Sequence, residues 1–391
     1  MITALLKPEI QDFINQNYHT DLKKLALTRN PFPEISWPDL LNQLQAKNKA
    51  KDKLPTWFKT ENILYPQKIS IEQTSSEQTA AYKATLITGK SLIDLTGGFG
   101  IDDYYFAQHF DRVTHCEINP ELSALVAHNY SVLNSNNIEC RQGDSHDTLR
   151  NSDTKWDWIY IDPSRRNDAK GKVFMLRDCL PNVPDSLDFY FQYTDNILIK
   201  TAPLLDIKAG LSELRFVAKI HVVALENEVK ELLWEIRKGH SGPITINAVA
   251  LTKEGEIHFS TSDDADSTVR FSAPKNYLYE PNSAILKTGA FDAVSAVYKV
   301  GKLHSHSHLY TSDTVVDFPG RRFKIESILP YQKSEIKAHI EGKQLNVTTR
   351  NFPLSVEELR KKWKIKDGGT TYCFFTTDIN NEKIIVICSK I

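Results

Sequence analysis

Four acids stand where the strands of an open α/β sheet are expected to end: Asp94, Glu117, Asp144 and Asp162. Asp94 lies in the apolar run Leu92-Ile93-Asp94-Leu95, which breaks into Thr96-Gly97-Gly98-Phe99-Gly100. Glycines lack a Cβ, so such a turn can be tight and a ligand can lie against its backbone. Glu117 follows the turn by about twenty residues, where a carboxylate accepts both ribose hydroxyls of a nucleoside. Asp144, with Ser145 beside it, suits the exocyclic amine of an adenine, and Asp94 suits an ammonium group. Ligands of open sheets bind beyond the carboxyl ends of the strands, so acids in register describe a nucleoside pocket that favours positive charge. Any one of them alone would serve equally well as a helix N-cap. NAD enzymes share the ribose carboxylate, but an acid-lined pocket suits a pyrophosphate poorly and the glycine spacing is not G-x-G-x-x-G.

The acid-bearing strand with its Thr-Gly-Gly-Phe-Gly turn resembles motif I of the class I S-adenosylmethionine (SAM) methyltransferases. A cationic sulfonium nucleoside carrying an ammonium group fits the four acids. The residues expected against the cofactor are Ser76, Glu77, Asp94, Thr96, Gly97, Gly98, Phe99, Gly100, Glu117, Ile118, Asp144, Ser145 and Asp162. Asp162-Pro163-Ser164-Arg165-Arg166 occupies the place of the catalytic loop. In amino-group methyltransferases that loop reads Asp/Asn-Pro-Pro-aromatic, and its side chain and following carbonyl accept hydrogens from the target amine. Here Ser164 replaces the second proline and Arg165 the aromatic, so base stacking by this residue is not expected. Asp162, Pro163, Ser164 and Arg165 are the candidate catalytic residues, and Arg165 and Arg166 could grip a phosphate or a base edge. The Asp-Pro-Pro-Arg of C5-methyluridine enzymes is similar, but those enzymes need a cysteine after a later strand. That stretch reads Leu225-Glu226-Asn227-Glu228, and Cys179 is a poor substitute.

The elements that must position these residues follow an α/β alternation. Strands are expected at Arg112–Ile118, Ile138–Gln142, Trp156–Ile161, Asn196–Lys200 and Ile220–Leu225, with helices from Ile101 and Pro120. An amphipathic helix through Val229, Leu232, Leu233 and Ile236 and a hairpin across Gly255 complete a parallel sheet with an antiparallel edge. Upstream, residues 1–85 read as helical, and Thr74 or Ser75 before Glu77 or Gln78 forms a capping box that could also close one side of the pocket. The fold class is α/β: a Rossmann-like core over 86–262, a helical N-terminal region and an α+β C-terminal domain.

Charge is nearly balanced, 48 basic against 49 acidic residues in 391, which gives no global field toward nucleic acid or membrane. No apolar run approaches a membrane span and the start is not a secretory signal, so a soluble, cytoplasmic protein is expected, without membrane partners. Five scattered cysteines without CxxC spacing fit buried reduced thiols, and no metal is expected. Pro281 is expected to start a helix that Gly289 ends. His304, His306 and His308 alternate along an expected polar strand, with zinc the lesser reading. Arg321 to Ile391 holds fourteen Lys and Arg against eight Asp and Glu, and Arg360, Lys361 and Lys362 adjoin Trp363. That bias points the last module at a polyanion, although the same cluster reads as the wet face of a helix.

Over nearly its whole length the chain resembles the Bacteroidetes-type THUMP-like class I SAM methyltransferases. The resemblance rests on Ser75-Ser76-Glu77, Asp94 to Asp102, Asp162 to Arg166, Tyr279-Glu280-Pro281-Asn282, and Asn351-Phe352-Pro353-Leu354 through Gly368-Gly369. It implies a methyltransferase core, a small ferredoxin-like module over 275–319 and a module over 320–391 similar to RNA-binding THUMP domains. The expectation is therefore SAM-dependent methylation of a base in structured RNA, with Arg165, Arg166, Arg360, Lys361 and Lys362 on the substrate. A protein or small-molecule methyltransferase, or a non-catalytic RNA-binding protein on this fold, are the alternatives.

Overall fold

The computed structural model describes residues 2–66, 71–165, 175–265 and 268–391, so Arg166 lies outside the described residues. The chain divides into two compact units, Met1–Ala218 with Leu232–Ser241, and Lys219–Glu231 with Gly242–Ile391.

The first unit opens with helices. Pro8 begins α1 (Pro8–Asn17), and the Ser36 side chain caps α2 (Trp37–Lys53) by accepting the Asp39 N–H. Ile10 and Ile14 of α1 pack with Leu40 and Leu44 of α2 in one apolar cluster. The charged run Lys47–Lys53 completes α2, and Lys47 Nζ donates to Asn15 Oδ1 at 2.7 Å. Next come α3 (Glu77–Thr85), β1 (Gly89–Asp94), α4 (Ile101–Phe106), β2 (Phe110–Glu117), α5 (Pro120–Val132), β3 (Ile138–Gln142), α6 (Ser145–Arg150), β4 (Trp158–Ile161) and β5 (Asn196–Thr201). These five strands run parallel in the order β5-β4-β1-β2-β3. β4 is wholly buried, as expected for a parallel strand covered on both faces. The chain winds outward from β1 to β3 and then restarts on the other side of β1 at β4. That reversal opens a crevice at the carboxyl ends of β1 and β4, where open sheets bind ligands.

The helix expected through Val229 and Ile236 is instead a strand. After β6 (Val217–Leu225), Glu226 and Asn227 take φ of 48° and 63° and the chain reverses into β7 (Glu228–Arg237). Residues Leu232–Arg237 pair antiparallel with β5. Leu232, Leu233, Trp234 and Ile236 are all fully buried. A contiguous buried run of this kind fits a strand covered on both faces; the helix-like spacing of Val229, Leu232, Leu233 and Ile236 is coincidental.

In the second unit, β8 (Thr245–Thr252) pairs parallel with β6 and antiparallel with β9 (Gly255–Ser262), giving the expected hairpin. A separate seven-stranded sheet holds β10 (Tyr277–Pro281), β11 (Gly320–Pro330), β12 (Asn346–Thr349), β13 (Thr371–Thr377) and β14 (Lys383–Lys390), beside two short strands. Helices Lys333–His339 and Val356–Trp363 bury Ile336, Leu359 and Trp363 against it. Pro281 does not start a helix; it ends β10 opposite Gly320, and Asn282 caps Ser283–Thr288 by accepting the Ile285 N–H. Gly289, at φ 73°, stops that helix as expected. The three histidines do not share a strand face. Buried Leu303 and Leu309 close a turn through a 3.0 Å backbone bond, and His308 sits at φ 52°, stacked on Phe291. Among the described residues there is no metal-binding cluster of His, Cys, Asp or Glu and no helix long and apolar enough to cross a membrane.

Asn227 combines a left-handed backbone with a side chain that accepts the Ser283 N–H at 2.8 Å. Asn227→Ala therefore destabilises the chain by about 1–3 kcal/mol and Asn227→Gly by less, read from denaturant midpoints. Equal midpoints for the two variants would contradict this.

Candidate active site

At the end of β1, Asp94 Oδ1 accepts the Thr96 N–H at 2.7 Å and the Thr96 hydroxyl at 3.0 Å, which turns the chain. The same hydroxyl oxygen accepts the Asp162 N–H at 2.7 Å, so one threonine joins the ends of β1 and β4. The glycines then divide their work. A Cβ on Gly97 would stand 2.2 Å from the His115 ring, and one on Gly100, at φ 77°, 2.0 Å from the Tyr130 hydroxyl. Gly98, at φ 56°, faces open space apart from an ordinary contact with the Thr96 carbonyl, and there a ligand can approach the backbone.

Glu117 ends β2 and reaches back, accepting the Gly98 N–H at 3.1 Å and the Asn119 N–H at 2.7 Å. Ile118 beside it is 69% exposed. Asp144 and Ser145 begin α6 just after β3, whose Gln142 pairs with Glu117, and Asp144 caps that helix through the His146 N–H. Ser164 and Arg165 form a two-residue strand against Cys179–Leu180, with the Ser164 hydroxyl 3.4 Å from the Leu180 carbonyl.

The crevice brings together Asp94, Thr96, Gly97, Gly98, Phe99, Gly100 and Asp162 of the expected set. Glu117, Ile118, Asp144 and Ser145 stand at the neighbouring strand ends, outside its wall. Ser76 caps α3, and the carboxylate of Glu77 is taken by Thr56 and the Tyr105 hydroxyl. The upstream serine that does line the crevice is Ser75. Sequence reasoning also missed Asp102, Tyr160, Lys83 and Lys200. Asp102 accepts from Lys83 (2.8 Å), Ser75 (3.0 Å) and Tyr160 (2.7 Å), with Lys200 at 3.8 Å. Burial pushes against its ionisation, but Lys83 and Lys200 outweigh it and hold the carboxyl well below the usual range. The signal was a lysine in each of two otherwise apolar segments, Ala80–Ala84 and Ile197–Thr201.

Behind the turn, burial and the neighbouring Asp103 raise the Asp94 carboxyl, while burial and the charge of Asp102 raise Asp103. Burial lowers His115, whose Nδ1 lies 2.7 Å from Asp103 Oδ2. In the second unit, Arg360 is ion-paired with Asp367, Lys361 is exposed, and Lys362 lies over the Tyr331 and Trp363 rings.

Residues 320–390 match the family description THUMP domain-like, and residues 277–319 match a ferredoxin-like domain. A Porphyromonas gingivalis W83 protein whose crystal structure is described as that of a methyltransferase is 30% identical, with a TM-score of 0.86. The match covers 99% of this chain and 98% of that one. The chain belongs to the THUMP-like class I SAM-dependent methyltransferases. Two Mycobacterium tuberculosis proteins, from strains CDC 1551 / Oshkosh and ATCC 25618 / H37Rv, are described as uncharacterized SAM-dependent methyltransferases. Each is 24% identical over 221 residues, 56% of this chain and 58% of theirs, so the chain spans little more than half the length of these relatives. SAM is the cofactor of the family, and the site has room for it: the face of Gly98 is open, and the carboxylates of Glu117 and Asp144 stand at the strand ends beside the crevice.

Because Asp103 is raised by burial, the native methyltransferase keeps a proton that the unfolded chain releases above about pH 4. Its contribution to stability is complete below that pH and declines as pH rises toward the raised value. Asp103→Asn is therefore most harmful in acid. The melting temperature of the variant gains on wild type as pH rises above about 4. A pH-independent gap would contradict the shift.

Proposed function

We propose that this chain transfers a methyl group from SAM to a base, at an amino or ring nitrogen, in structured RNA such as tRNA or rRNA. The carrying observation is the crevice at the β1/β4 reversal, whose walls include both the glycine turn and Asp162. SAM supplies an electrophilic methyl on a sulfonium. Glu117 accepts the ribose hydroxyls, Asp144 the adenine amine, and Gly97, Gly98 and Gly100 give the adenosyl group backbone room. Asp162 and the Pro163 carbonyl accept hydrogens from the acceptor nitrogen, and Ser164 and Arg165, which follow them in the chain, complete the catalytic set. The nitrogen lone pair would form the N–CH3 bond as the S–CH3 bond breaks, S-adenosylhomocysteine would leave, and the proton lost from the nitrogen would pass to solvent; this displacement needs alignment more than acid–base help, so positioning provides most of the rate. Domain boundaries at about residues 85, 262, 275 and 319 accompany this reading, which assigns the core to chemistry and residues 320–391 to RNA. Support for RNA comes from the THUMP domain-like match and from the cationic excess of that module.

The test supplies labelled SAM with total RNA or with RNA-free lysate. Label enters RNA, and Asp162→Asn reduces the rate by roughly 100-fold. Label found only in the protein or metabolite fraction would overturn the RNA assignment.

A further inference from the structure

The crevice holds a cation to which the roles above assign nothing. Lys200, near the end of β5, is ion-paired through Nζ with Asp162 Oδ2 and lies 3.8 Å from Asp102 Oδ2 and 3.4 Å from the Ser75 hydroxyl. Four charges thus alternate in sign from the interior outward. Lys83 is 0% exposed, Asp102 11%, Lys200 14% and Asp162 38%. The inner end is rigid, because Asp102 is also held by Ser75 and Tyr160. At the outer end the Asp162 N–H is fixed by Thr96 and its Oδ2 by Lys200, while Oδ1 accepts nothing from the described residues.

We propose that Lys200 is a positioning residue for methyl transfer. It clamps one oxygen of Asp162 and so presents the other, in a single direction, to the acceptor group. The inference rests on the methyltransferase reading and narrows its substrate class. A fixed, ionised oxygen is a hydrogen-bond acceptor only, so it selects a nitrogen that carries hydrogen, such as an exocyclic amine of a base. A ring nitrogen offering only a lone pair would face it with repulsion. Without the clamp, a part-exposed aspartate turns among its rotamers, and misplacement of about 1 Å can reduce a rate by about 100-fold.

The test uses the full chain with Lys200→Met, Lys200→Arg, Asp162→Asn and the double variant K200M/D162N. Labelled SAM and total RNA read turnover, and calorimetry with S-adenosylhomocysteine reads the cofactor site. Lys200→Met is expected to reduce kcat by about 100-fold, with S-adenosylhomocysteine affinity and the RNA KM within about threefold of wild type. Lys200→Arg recovers at least about a tenth of the rate, and K200M/D162N is no slower than Asp162→Asn alone, because both act through one carboxylate. Crystals of wild type and Lys200→Met with S-adenosylhomocysteine need no acceptor and show Asp162 turned only in the variant. Wild-type turnover by Lys200→Met, losses that multiply in the double variant, a loss confined to S-adenosylhomocysteine affinity, or an unmoved Asp162 would each overturn the clamp. Absence of S-adenosylhomocysteine binding by wild type would overturn the methyltransferase reading, and the clamp with it. Methylated nucleosides released from the product RNA carry the label on a nitrogen that bore hydrogen, such as an exocyclic amine; label on a ring nitrogen that offers only a lone pair, such as N1 of adenine, would overturn the substrate class while leaving the parent reading intact.

Discussion

The carboxylate of Asp102 sits at the floor of the crevice and draws together four parts of the first unit. Lys83 comes from α3, Ser75 from the segment before it, Tyr160 from β4 and Lys200 from β5. Asp102 itself is the second residue of α4, directly beyond the glycine turn. The turn is therefore registered against the sheet by a buried charge as well as by apolar packing. Burying such a group is costly, and removing one partner of a buried pair typically costs about 3–5 kcal/mol because the other is left uncompensated. With donors on both oxygens, Asp102 meets that cost and remains ionised. The consequence for function is geometric: the glycine turn, Asp162 and Lys200 cannot move independently of one another.

A second constraint lies one layer deeper. Asp94, Asp103 and His115 are all buried beneath the turn, and Gly97 is a glycine because the His115 ring occupies the place of a side chain. The acid that the turn motif displays is thus largely structural on its inner side, holding Thr96, while Thr96 holds Asp162. The outward-facing groups are Glu117, Ile118 and Asp162, and they are the ones whose exposure suits a ligand.

Much of this was legible in the sequence because strand ends and glycine turns have local signatures. The strand Ile138–Gln142 and the Pro120 helix start coincide with the expectation, and the crevice gathers seven of the expected residues. What failed was non-local. Glu226-Asn227 carries no glycine, so nothing local marks its tight reversal, and the spacing of the following apolar residues reads as a helix. The alternating histidines resembled a strand, but a turn set by Leu303 and Leu309 decided otherwise. Lys83 and Lys200 each interrupt a largely apolar segment, but a single segment does not reveal that its lysine meets an aspartate more than fifteen residues away. The Tyr279-Glu280-Pro281-Asn282 segment proves to be scaffolding. Buried Glu280 is held by Arg321 and Arg350, Tyr279 bonds Ser312, and Asn282 caps a helix.

The central claim is that the crevice and the acids beside it hold an adenosyl cofactor, with Glu117 on its ribose. Calorimetric titration of the chain with S-adenosylhomocysteine, repeated on Glu117→Ala, tests this without any acceptor. The account predicts one saturable site per chain, with affinity reduced by about 10–100-fold in the variant while folding is retained, as expected for a lost charged hydrogen bond of about 1.5–3 kcal/mol. Absence of binding to the wild-type chain, or equal affinity in the two proteins, would contradict it.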